Sequence, residues 1–423
     1  MMPDLAGSKK LGQTDAVSEQ VEKQKEKPFF ENLDTLRFIS FMLVFLFHVG
    51  LYDYVASFTS QPLLLGLVRV LSSGGWGVTF FFALSGFLIT WLLLVEVRKK
   101  GKVNVGAFYM RRVLRIWPLY ALVIFTGLVV LPFLYKMMGQ PLHFDYPVWL
   151  YATFLSNFGV ISLNPALDSI RSFPLVLNIT WSVSIEEQFY VVWPLCFLIR
   201  PQWYRYIPVF FILFSFGFAC YYFNDFSQLY SSSLTRIGEI AIGAWFAYQA
   251  FHSKRFLAFF TNINRYLILA IYAAAGLLIY SSFHLHGLPI NTYVLHMLGA
   301  VLFSCIILEQ NFARHSLLKF GRFKVMGFLG KISYGLYMLH PIAMFASSFL
   351  LQKLLHAGSP VASGPAFMLL SFALTIVIAW LSFYLYERPF LRLKKLFAFG
   401  GHKTGGPMVQ EGNKVTALAE VVS

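Results

Sequence analysis

The segment ENLDTLRFISFMLVFLFH, residues 31–48, opens the first long apolar stretch of the chain. It places Arg37 and His48 eleven positions apart, which on a helix is about three turns plus about 20°, so both side chains share one face. They would lie about 16.5 Å apart along the axis, roughly half the hydrocarbon thickness of a bilayer. An arginine at the membrane edge and a histidine near its middle indicate a buried functional stripe. An equally open alternative is an arginine that snorkels and a histidine bonded to a neighbouring helix.

The composition predicts a polytopic membrane protein. The 423-residue chain is 57% hydrophobic and only 13% charged, whereas soluble proteins carry about 25% charged residues. The net charge of +15 falls in the loops between apolar segments, so positive-inside topology explains it better than nucleic-acid binding. The three cysteines lie within apolar segments and indicate neither a disulfide framework nor a zinc site.

The hydropathy pattern predicts an all-α fold with about ten transmembrane helices, near residues 38–54, 78–95, 116–134, 183–199, 207–223, 236–251, 266–283, 294–309, 333–352 and 366–386. Lysines and arginines, Lys394 among them, are concentrated in the loops on one side of these helices. This bias places those loops and both termini in the cytoplasm. Residues 147–163 suggest a further crossing, but that crossing would move every later basic loop outside. We therefore predict a re-entrant or interfacial segment on the outer side, which requires burial in protein.

The two ends of the chain differ from its middle. Residues 1–28 are polar with balanced charge and predict a disordered cytoplasmic tail. A membrane domain is predicted over residues 29–398, followed by a flexible cytoplasmic tail over 399–423. We expect the first apolar run to act as an uncleaved signal anchor. No internal repeat is obvious, unlike the inverted repeats of many transporters.

A basic motif, FYMRRVLRIWP at residues 108–118, precedes the third predicted span. Arg112 and Arg115 are three positions apart, so on a helix they point the same way and form a fork able to grip phosphates. The alternative is ordinary positive-inside charge in contact with anionic lipid.

A glycine-rich motif, GGWGVTFFFALSGFL at residues 74–88, opens the second predicted span. Its first glycines let the backbone bend at the outer surface, where Trp76 can anchor at the interface. Ser85 and Gly86 permit close approach of another helix or of a ligand, and helix packing alone would explain them.

Two acidic residues enter the fourth predicted span in TWSVSIEEQFY, residues 180–190. Glu186 and Glu187 are adjacent and cannot both face one neighbouring helix. We expect one to point inward, with a histidine or arginine partner, and the other to face solvent or headgroups. An interfacial acid favoured by the helix dipole is the alternative.

The ninth predicted span carries KISYGLYMLHP at residues 331–341. His340 lies about two turns into this span, and the proline after it weakens the local hydrogen-bond ladder. A histidine that satisfies a neighbouring helix is as consistent with the pattern as a site residue. Arg236 and Glu239 are one turn apart and are interpreted as a structural ion pair.

Together these segments closely resemble the acyltransferase-three family of integral-membrane acyltransferases, which O-acylate cell-surface sugars in bacteria. The resemblance runs from about residue 32 to residue 389. It rests on motifs in a fixed order, namely NLDTLR at 32–37 followed by His48, LSGFL at 84–88, RRVLR at 111–115, WSVSIEEQFY at 181–190, SYGLYMLH at 333–340 and YERP at 386–389. Each motif is weak alone, and their order makes the match specific.

The resemblance implies transfer of an acyl group, usually acetyl, from cytoplasmic acyl-CoA to a hydroxyl of an extracytoplasmic carbohydrate or glycoconjugate. The expected setting is the bacterial cytoplasmic membrane. The expected partners are acyl-CoA as co-substrate, a glycan or glycolipid acceptor and the bilayer, with no tightly bound cofactor, metal or nucleic acid. Thr79 departs from the family, since many relatives carry aspartate there. The hydrolase-like C-terminal domain of some members is missing, so we expect transfer to finish within the membrane.

The resemblance also assigns residues. It implies that Arg37 and His48 are needed for activity and that Arg112 and Arg115 hold the CoA phosphates. We expect His48 to act as general base on the acceptor hydroxyl, and Glu186 to orient the acceptor or the imidazole. Beyond the resemblance, we assign Trp76 and Ser85 to donor binding, and Asp34, Glu187 and His340 to the acceptor or to support of the catalytic groups.

A transporter or flippase for a polar lipid-linked molecule is the alternative function. Ten spans with buried charges allow it, whereas the missing inverted repeats and the basic fork argue against it. The acceptor, the acyl chain length, a direct or an acyl-histidine route and the oligomeric state are not determined by the sequence.

Overall fold

The computed structural model describes residues 30–137, 139, 147–162, 175–284, 288–355 and 364–397. All regular secondary structure in these ranges is helical, in agreement with the predicted fold class. The two predicted tails, residues 1–28 and 399–423, lie outside the described residues.

Within the described residues, the first half of the chain contains ten α-helices. These are α1 Glu31–His48, α2 Leu51–Ala56, α3 Pro62–Leu71, α4 Gly74–Lys100, α5 Val105–Phe125, α6 Leu131–Met137, α7 Trp149–Ala152, α8 Ser156–Ser162, α9 Leu175–Asn178 and α10 Thr180–Val192. A π-helical turn, Thr126–Val130, joins α5 to α6.

The described part of the second half contains ten more α-helices. These are α11 Tyr206–Tyr221, α12 Phe226–Ser231, α13 Ser233–His252, α14 Lys254–Thr261, α15 Arg265–Ser282, α16 Pro289–Phe312, α17 Lys324–Lys331, α18 Ser333–Leu355, α19 Gly364–Leu381 and α20 Arg388–Leu393. Short 3₁₀ turns cover Trp193–Leu198, Pro201–Trp203, Phe320–Arg322 and Lys394–Phe397, and a π-helical turn covers Ser382–Glu387.

Six helical stretches within the described residues are long and apolar enough to cross a membrane. They are Pro62–Lys100, Val105–Met137, Arg265–Ser282, Pro289–Phe312, Ser333–Lys353 and Gly364–Phe397. All ten predicted spans coincide with helical segments. The total of ten crossings and the cytoplasmic location of both termini remain predictions.

The first predicted span, residues 38–54, is not one continuous helix. Helix α1 ends at His48, and Gly50 adopts a left-handed conformation with φ 71° before α2 begins. Glycine takes this conformation at little cost because it has no Cβ. The break leaves the imidazole of His48 at the end of a helix rather than in its middle.

The segment predicted to be re-entrant or interfacial, residues 147–163, contains the two short helices α7 and α8 within its described part. Neither approaches the length of about 20 residues that a crossing requires. Asn157 is fully buried, and its side-chain amide donates hydrogen bonds to the carbonyl of Ser231 and to the hydroxyl of Ser233. One side of this segment is therefore packed inside the protein, whereas Val148, Trp149 and Phe158 are exposed. Its re-entrant or interfacial placement remains a prediction.

Helix α4 is the central helix of the fold, and most of its length is buried. It packs closely against α13 on one side and α1 on another. Where α4 packs against α13, a Cβ on Gly86 would collide with the backbone of Ile240, and a Cβ on Gly243 would collide with the backbone of Ala83. The interpretation of Gly86 as a helix-packing residue is therefore confirmed.

The ion pair predicted between Arg236 and Glu239 is confirmed. The guanidinium Nη1 and the carboxylate Oε1 are 2.5 Å apart, and both side chains are buried. The guanidinium also lies 5.0 Å from the centroid of the Tyr230 ring and 5.4 Å from that of Phe82. These contacts offset part of the cost of burying the charge.

We expect Arg236→Ala to lower the free energy of unfolding by about 3 kcal/mol or more, because it leaves the Glu239 carboxylate buried without its partner. Combining Arg236→Met with Glu239→Leu should recover most of that loss. Thermal and denaturant unfolding of the chain in detergent micelles measures both effects. Arg200→Ala, at an exposed position, is the control, and a fully stable Arg236→Ala variant would refute the structural role.

Candidate active site

Five helices enclose a cavity at the level of the three arginines singled out above. We call it the arginine cavity. Its polar lining comes from Arg37 on α1, Ser85 on α4, Arg112 and Arg115 on α5, Ser182, Glu186 and Tyr190 on α10, and Ser333, Tyr334 and Tyr337 on α18. It encloses about 100 Å³, which holds several water molecules or a small acyl group. The fold thus brings together five predicted site residues from four helices.

The arginines of the cavity are held in different ways. Arg37 donates to Asp34, with 2.8 Å between Nη1 and Oδ1, so Asp34 supports an arginine of the cavity. Arg112 is buried between the rings of Phe108 and Tyr190, at 5.7 Å and 5.8 Å from their centroids. Within the described part of the chain it forms no ion pair. Its positive charge is therefore available to an anion.

Glu186 is linked to the serine of the glycine-rich motif. The Ser85 hydroxyl donates to Glu186 Oε1 at 2.5 Å, and the Tyr190 hydroxyl donates to Ser85 at 3.2 Å. Glu186 and Tyr190 are four residues apart and face the cavity together because they share one side of α10. The inward-facing glutamate that the sequence predicts is therefore Glu186.

The expectation that the second glutamate faces solvent or headgroups is wrong. Glu187 is buried and accepts a hydrogen bond from the indole Nε1 of Trp117 on α5, at 3.1 Å. Successive side chains on a helix point about 100° apart, which here directs them at two different neighbouring helices. Both carboxylates are thus inside the protein.

His48 is paired with the second histidine singled out in the sequence. Its Nδ1 lies 2.9 Å from Nε2 of His340, and the two rings stack with centroids 5.0 Å apart. The Nδ1 of His340 lies 2.6 Å from the carbonyl oxygen of Tyr337, which can only accept a hydrogen bond. A neutral His340 therefore carries its proton on Nδ1 and accepts the Nδ1 proton of His48. This assignment leaves the Nε2 lone pair of His48 available.

The histidine pair and the arginine cavity are neighbours but are not continuous. His48 does not line the cavity. Tyr337 separates them: its ring lines the cavity and lies 5.9 Å from the ring of His340. The Phe81 ring, 5.7 Å from that of Tyr337, fills the adjacent space. Glu186 accepts a hydrogen bond from Ser85 rather than from a histidine. The partner of the His48 imidazole is His340 and not a glutamate.

Trp76 lies apart from the arginines. It lines a second cavity of about 610 Å³ at the N-terminal end of α4, which we call the tryptophan cavity. The arginine cavity contacts α4 farther along, between Val78 and Ile89. The indole Nε1 of Trp76 donates to the Ser282 hydroxyl at 3.1 Å, and its ring stacks on His296 at 4.5 Å. The hydroxyl of Thr79 lies 2.6 Å from Nδ1 of His296. The structure therefore does not bring Trp76 together with the other residues assigned to donor binding.

One buried cation near the arginine cavity is not singled out by the sequence. Lys394 is 4% exposed, and its Nζ has no hydrogen-bond partner among the described residues. Its charge is close enough to Arg37, Arg111, Arg112 and Arg115 to be repelled by each. In the sequence Lys394 is one of many basic loop residues, so only the tertiary fold reveals its burial. A buried ammonium among arginines is costly unless an anion binds beside it.

A family profile for an acyltransferase domain matches residues 30–384. The chain belongs to the acyltransferase-three family. The match includes every residue that lines the arginine cavity as well as both members of the histidine pair. The resemblance drawn from the ordered motifs is therefore confirmed.

Several relatives are O-acetyltransferases by name. OatA of Staphylococcus aureus, an O-acetyltransferase, is 26% identical over 411 residues, which are 91% of this chain and 61% of the relative. The peptidoglycan O-acetyltransferase OatA of Listeria monocytogenes is 31% identical over 135 residues, 32% of this chain and 21% of the relative. YrhL of Bacillus subtilis is 26% identical over 347 residues, 75% of this chain and 51% of the relative. The chain thus covers less than two thirds of each relative, and no solved structure is significantly similar to it.

We expect Lys394→Met to stabilise the free protein and to weaken anion binding, because it removes a buried charge that has no partner. Inorganic pyrophosphate is the probe. Its affinity, measured by the rise in melting temperature on titration, should fall about tenfold, the effect of losing one charged hydrogen bond. The neighbouring exposed residue gives the control, Lys395→Met, which should change neither quantity. Unchanged pyrophosphate affinity in Lys394→Met would show that this lysine binds no anion.

Proposed function

We propose that the protein is a membrane-embedded O-acetyltransferase that moves an acetyl group from cytoplasmic acetyl-CoA to a hydroxyl of an extracytoplasmic glycan. The observation that carries the proposal is the arginine cavity, where three arginines meet a carboxylate and a serine in a chain of the acyltransferase-three family. The names of the relatives support peptidoglycan as the acceptor. Family membership favours this function over a transporter or flippase.

The arginine cavity suits the phosphate end of the donor. Guanidinium groups bind phosphate oxygens bidentately, and Arg112 has no competing ion pair within the described residues. Lys394 adds a further buried positive charge beside it. In the proposed complex, the CoA phosphates bind Arg112, Arg115 and Lys394. Ser85 and Glu186 contact the part of CoA that extends from the phosphates toward the histidine pair.

The direction of transfer follows from the proposed topology. With ten crossings and both termini in the cytoplasm, the arginine cavity opens toward the cytoplasm, where acetyl-CoA is made. The N-terminal end of α4, with the tryptophan cavity, then lies toward the outer surface. Donor and acceptor enter from opposite sides, and only the acetyl group changes sides.

His48 is the general base in this proposal. The hydrogen bonds along Tyr337, His340 and His48 favour the His48 tautomer whose Nε2 is unprotonated. His48 takes the proton of the acceptor hydroxyl as its oxygen attacks the thioester carbonyl carbon. The carbon–sulfur bond then breaks, and the proton passes from His48 to the departing CoA sulfur. His340 touches neither substrate and acts by positioning the imidazole, as carboxylates do in other histidine-containing sites.

The thioester must pass the aromatic side chains between the arginine cavity and the histidine pair. The ring of Tyr337 occupies that position, with its hydroxyl 2.7 Å from the Ser182 hydroxyl. The proposal therefore requires the rings of Phe81 and Tyr337 to move aside when the donor binds.

The direct test uses purified protein, isotope-labelled acetyl-CoA and soluble peptidoglycan fragments. We expect a gain of one acetyl group per modified sugar, detected by mass spectrometry, with release of one CoA. We also expect Arg112→Gln to raise the KM for acetyl-CoA more than tenfold, with a much smaller effect on the KM for the glycan. Absence of both acetyl transfer and acetyl-CoA binding would overturn the proposal in favour of transport.

We expect His48→Ala to lower kcat by a factor of about 10² to 10⁴, the usual contribution of a general base. Full activity in His48→Ala at normal protein levels would exclude the base assignment. Trapping of labelled acetyl on His48 during turnover without acceptor would instead support an acyl-histidine route.

We expect His340→Leu to lower kcat at least tenfold without a change in either KM, because the tautomer of His48 is no longer fixed. His340→Gln should restore part of the activity, since its amide oxygen can accept the Nδ1 proton of His48. A merely structural histidine would instead alter the melting temperature and both kinetic constants together, with no rescue by glutamine.

A further inference from the structure

The tryptophan cavity is larger than the arginine cavity and lies at the N-terminal end of α4. Its volume of about 610 Å³ is within the range of about 300 to 1,000 Å³ typical of small-molecule sites. It is lined by aromatic rings together with a few polar groups, which is the usual composition of such sites. The function proposed above assigns no role to it.

One wall of the tryptophan cavity is an aromatic surface. Phe226 and Tyr230 on α12 stack with ring centroids 5.5 Å apart and planes only 9° apart. Phe226 is 46% exposed, so one of its faces is free to receive a ligand. The apolar face of a pyranose ring packs well on such a surface, because it buries carbon–hydrogen groups against the ring.

A guanidinium is fixed in the same cavity. Arg69 on α3 lies 4.4 Å from the centroid of the Tyr52 ring and 5.3 Å from that of Phe283. It forms no ion pair within the part of the chain that the structure describes. The two aromatic rings fix the orientation of the planar guanidinium. Its N–H groups are then available to bind a carboxylate bidentately. Asp53 lines the same cavity, where it can accept hydrogen bonds from sugar hydroxyls.

The tryptophan cavity is also adjacent to the proposed base. Phe47 and Gly50 line it, and His48 lies between them in the chain. The Phe47 ring is 5.3 Å from that of His48. A ligand in the cavity would therefore lie next to the end of α1 that carries the imidazole.

We propose that the tryptophan cavity is the acceptor site and takes a pyranose that bears a carboxylate. The sugar ring packs on Phe226 and Tyr230, and the carboxylate binds Arg69. Trp76, assigned to the donor from the sequence, then belongs to the acceptor side. The role as acceptor site rests on the proposed function, whereas binding of an acidic sugar does not.

Direct binding measurements test the proposal with the full chain in nanodiscs of phosphatidylcholine. The probes are a tetrasaccharide of alternating N-acetylglucosamine and N-acetylmuramic acid, which carries carboxylates, and the neutral tetramer of N-acetylglucosamine. We expect the acidic probe to bind at least about tenfold more tightly, the contribution of one charged hydrogen-bonded contact. Isothermal titration calorimetry gives both dissociation constants.

Variants then assign the binding to these residues. Arg69→Gln should abolish the preference for the acidic probe, and Arg69→Lys should retain part of it. Phe226→Ser should raise the dissociation constants of both probes. The control is Lys136→Gln, at an exposed position that is also on the predicted outer side, and it should change nothing. Melting temperatures confirm that each variant is folded.

Three outcomes would overturn the inference. The first is equal affinity of the wild type for both probes, and the second is unchanged binding in Arg69→Gln and Phe226→Ser. The third is displacement of the sugar when phosphatidylglycerol is included in the nanodisc, which would identify a lipid-headgroup site. Failure of the proposed function is distinct, since it would appear as sugar binding without acetyl transfer. Transfer with an unchanged glycan KM in Arg69→Gln would remove this site and retain the function.

Discussion

The close contact between α4 and α13 is the constraint on which the remaining structure depends. Gly86 and Gly243 bring the two backbones together at a distance that no side chain would allow. In a membrane, where apolar surfaces gain little from contact with each other, such small-residue crossings provide the packing that holds helices together. Because Ser85 is next to Gly86, this crossing also fixes the position from which the serine reaches Glu186.

Buried charge is the second organising feature, and the fold treats it in two ways. Arg236 and Glu239 are fully buried and paired with each other, which is how a structural charge is accommodated. Around the arginine cavity, Arg112 forms no ion pair and Lys394 has no hydrogen-bond partner within the described ranges. Unpaired cations reduce stability, so their concentration at one place indicates a site whose partner is a ligand.

Much of this arrangement could be predicted from the sequence, and the reasons are local. Helical spacing alone directed Arg112 and Arg115 to one side of α5, and the ordered motifs identified the family. The contact of His48 with His340 spans 292 positions, so spacing within either motif carries no information about it. The same holds for the burial of Lys394. The break after His48 depends on Gly50, whose left-handed conformation is only one of those open to glycine.

The positions of the two cavities bear on how the proposed reaction can proceed. Trp76 and Ser85 are nine residues apart on α4, which is about 13.5 Å along the axis. Helix α1 runs antiparallel to α4, so that Phe47 lies beside Gly74, where a Cβ would be 2.8 Å from its ring. The proposed base is therefore next to the tryptophan cavity and is separated from the arginine cavity by Tyr337. In the proposed geometry the sugar hydroxyl is deprotonated at the tryptophan cavity, where the sugar binds. The thioester, at the end of the long CoA arm, extends from the arginine cavity to reach it. In the proposed reaction neither the nucleotide nor the glycan has to cross the membrane, since the two cavities lie at different levels along α4.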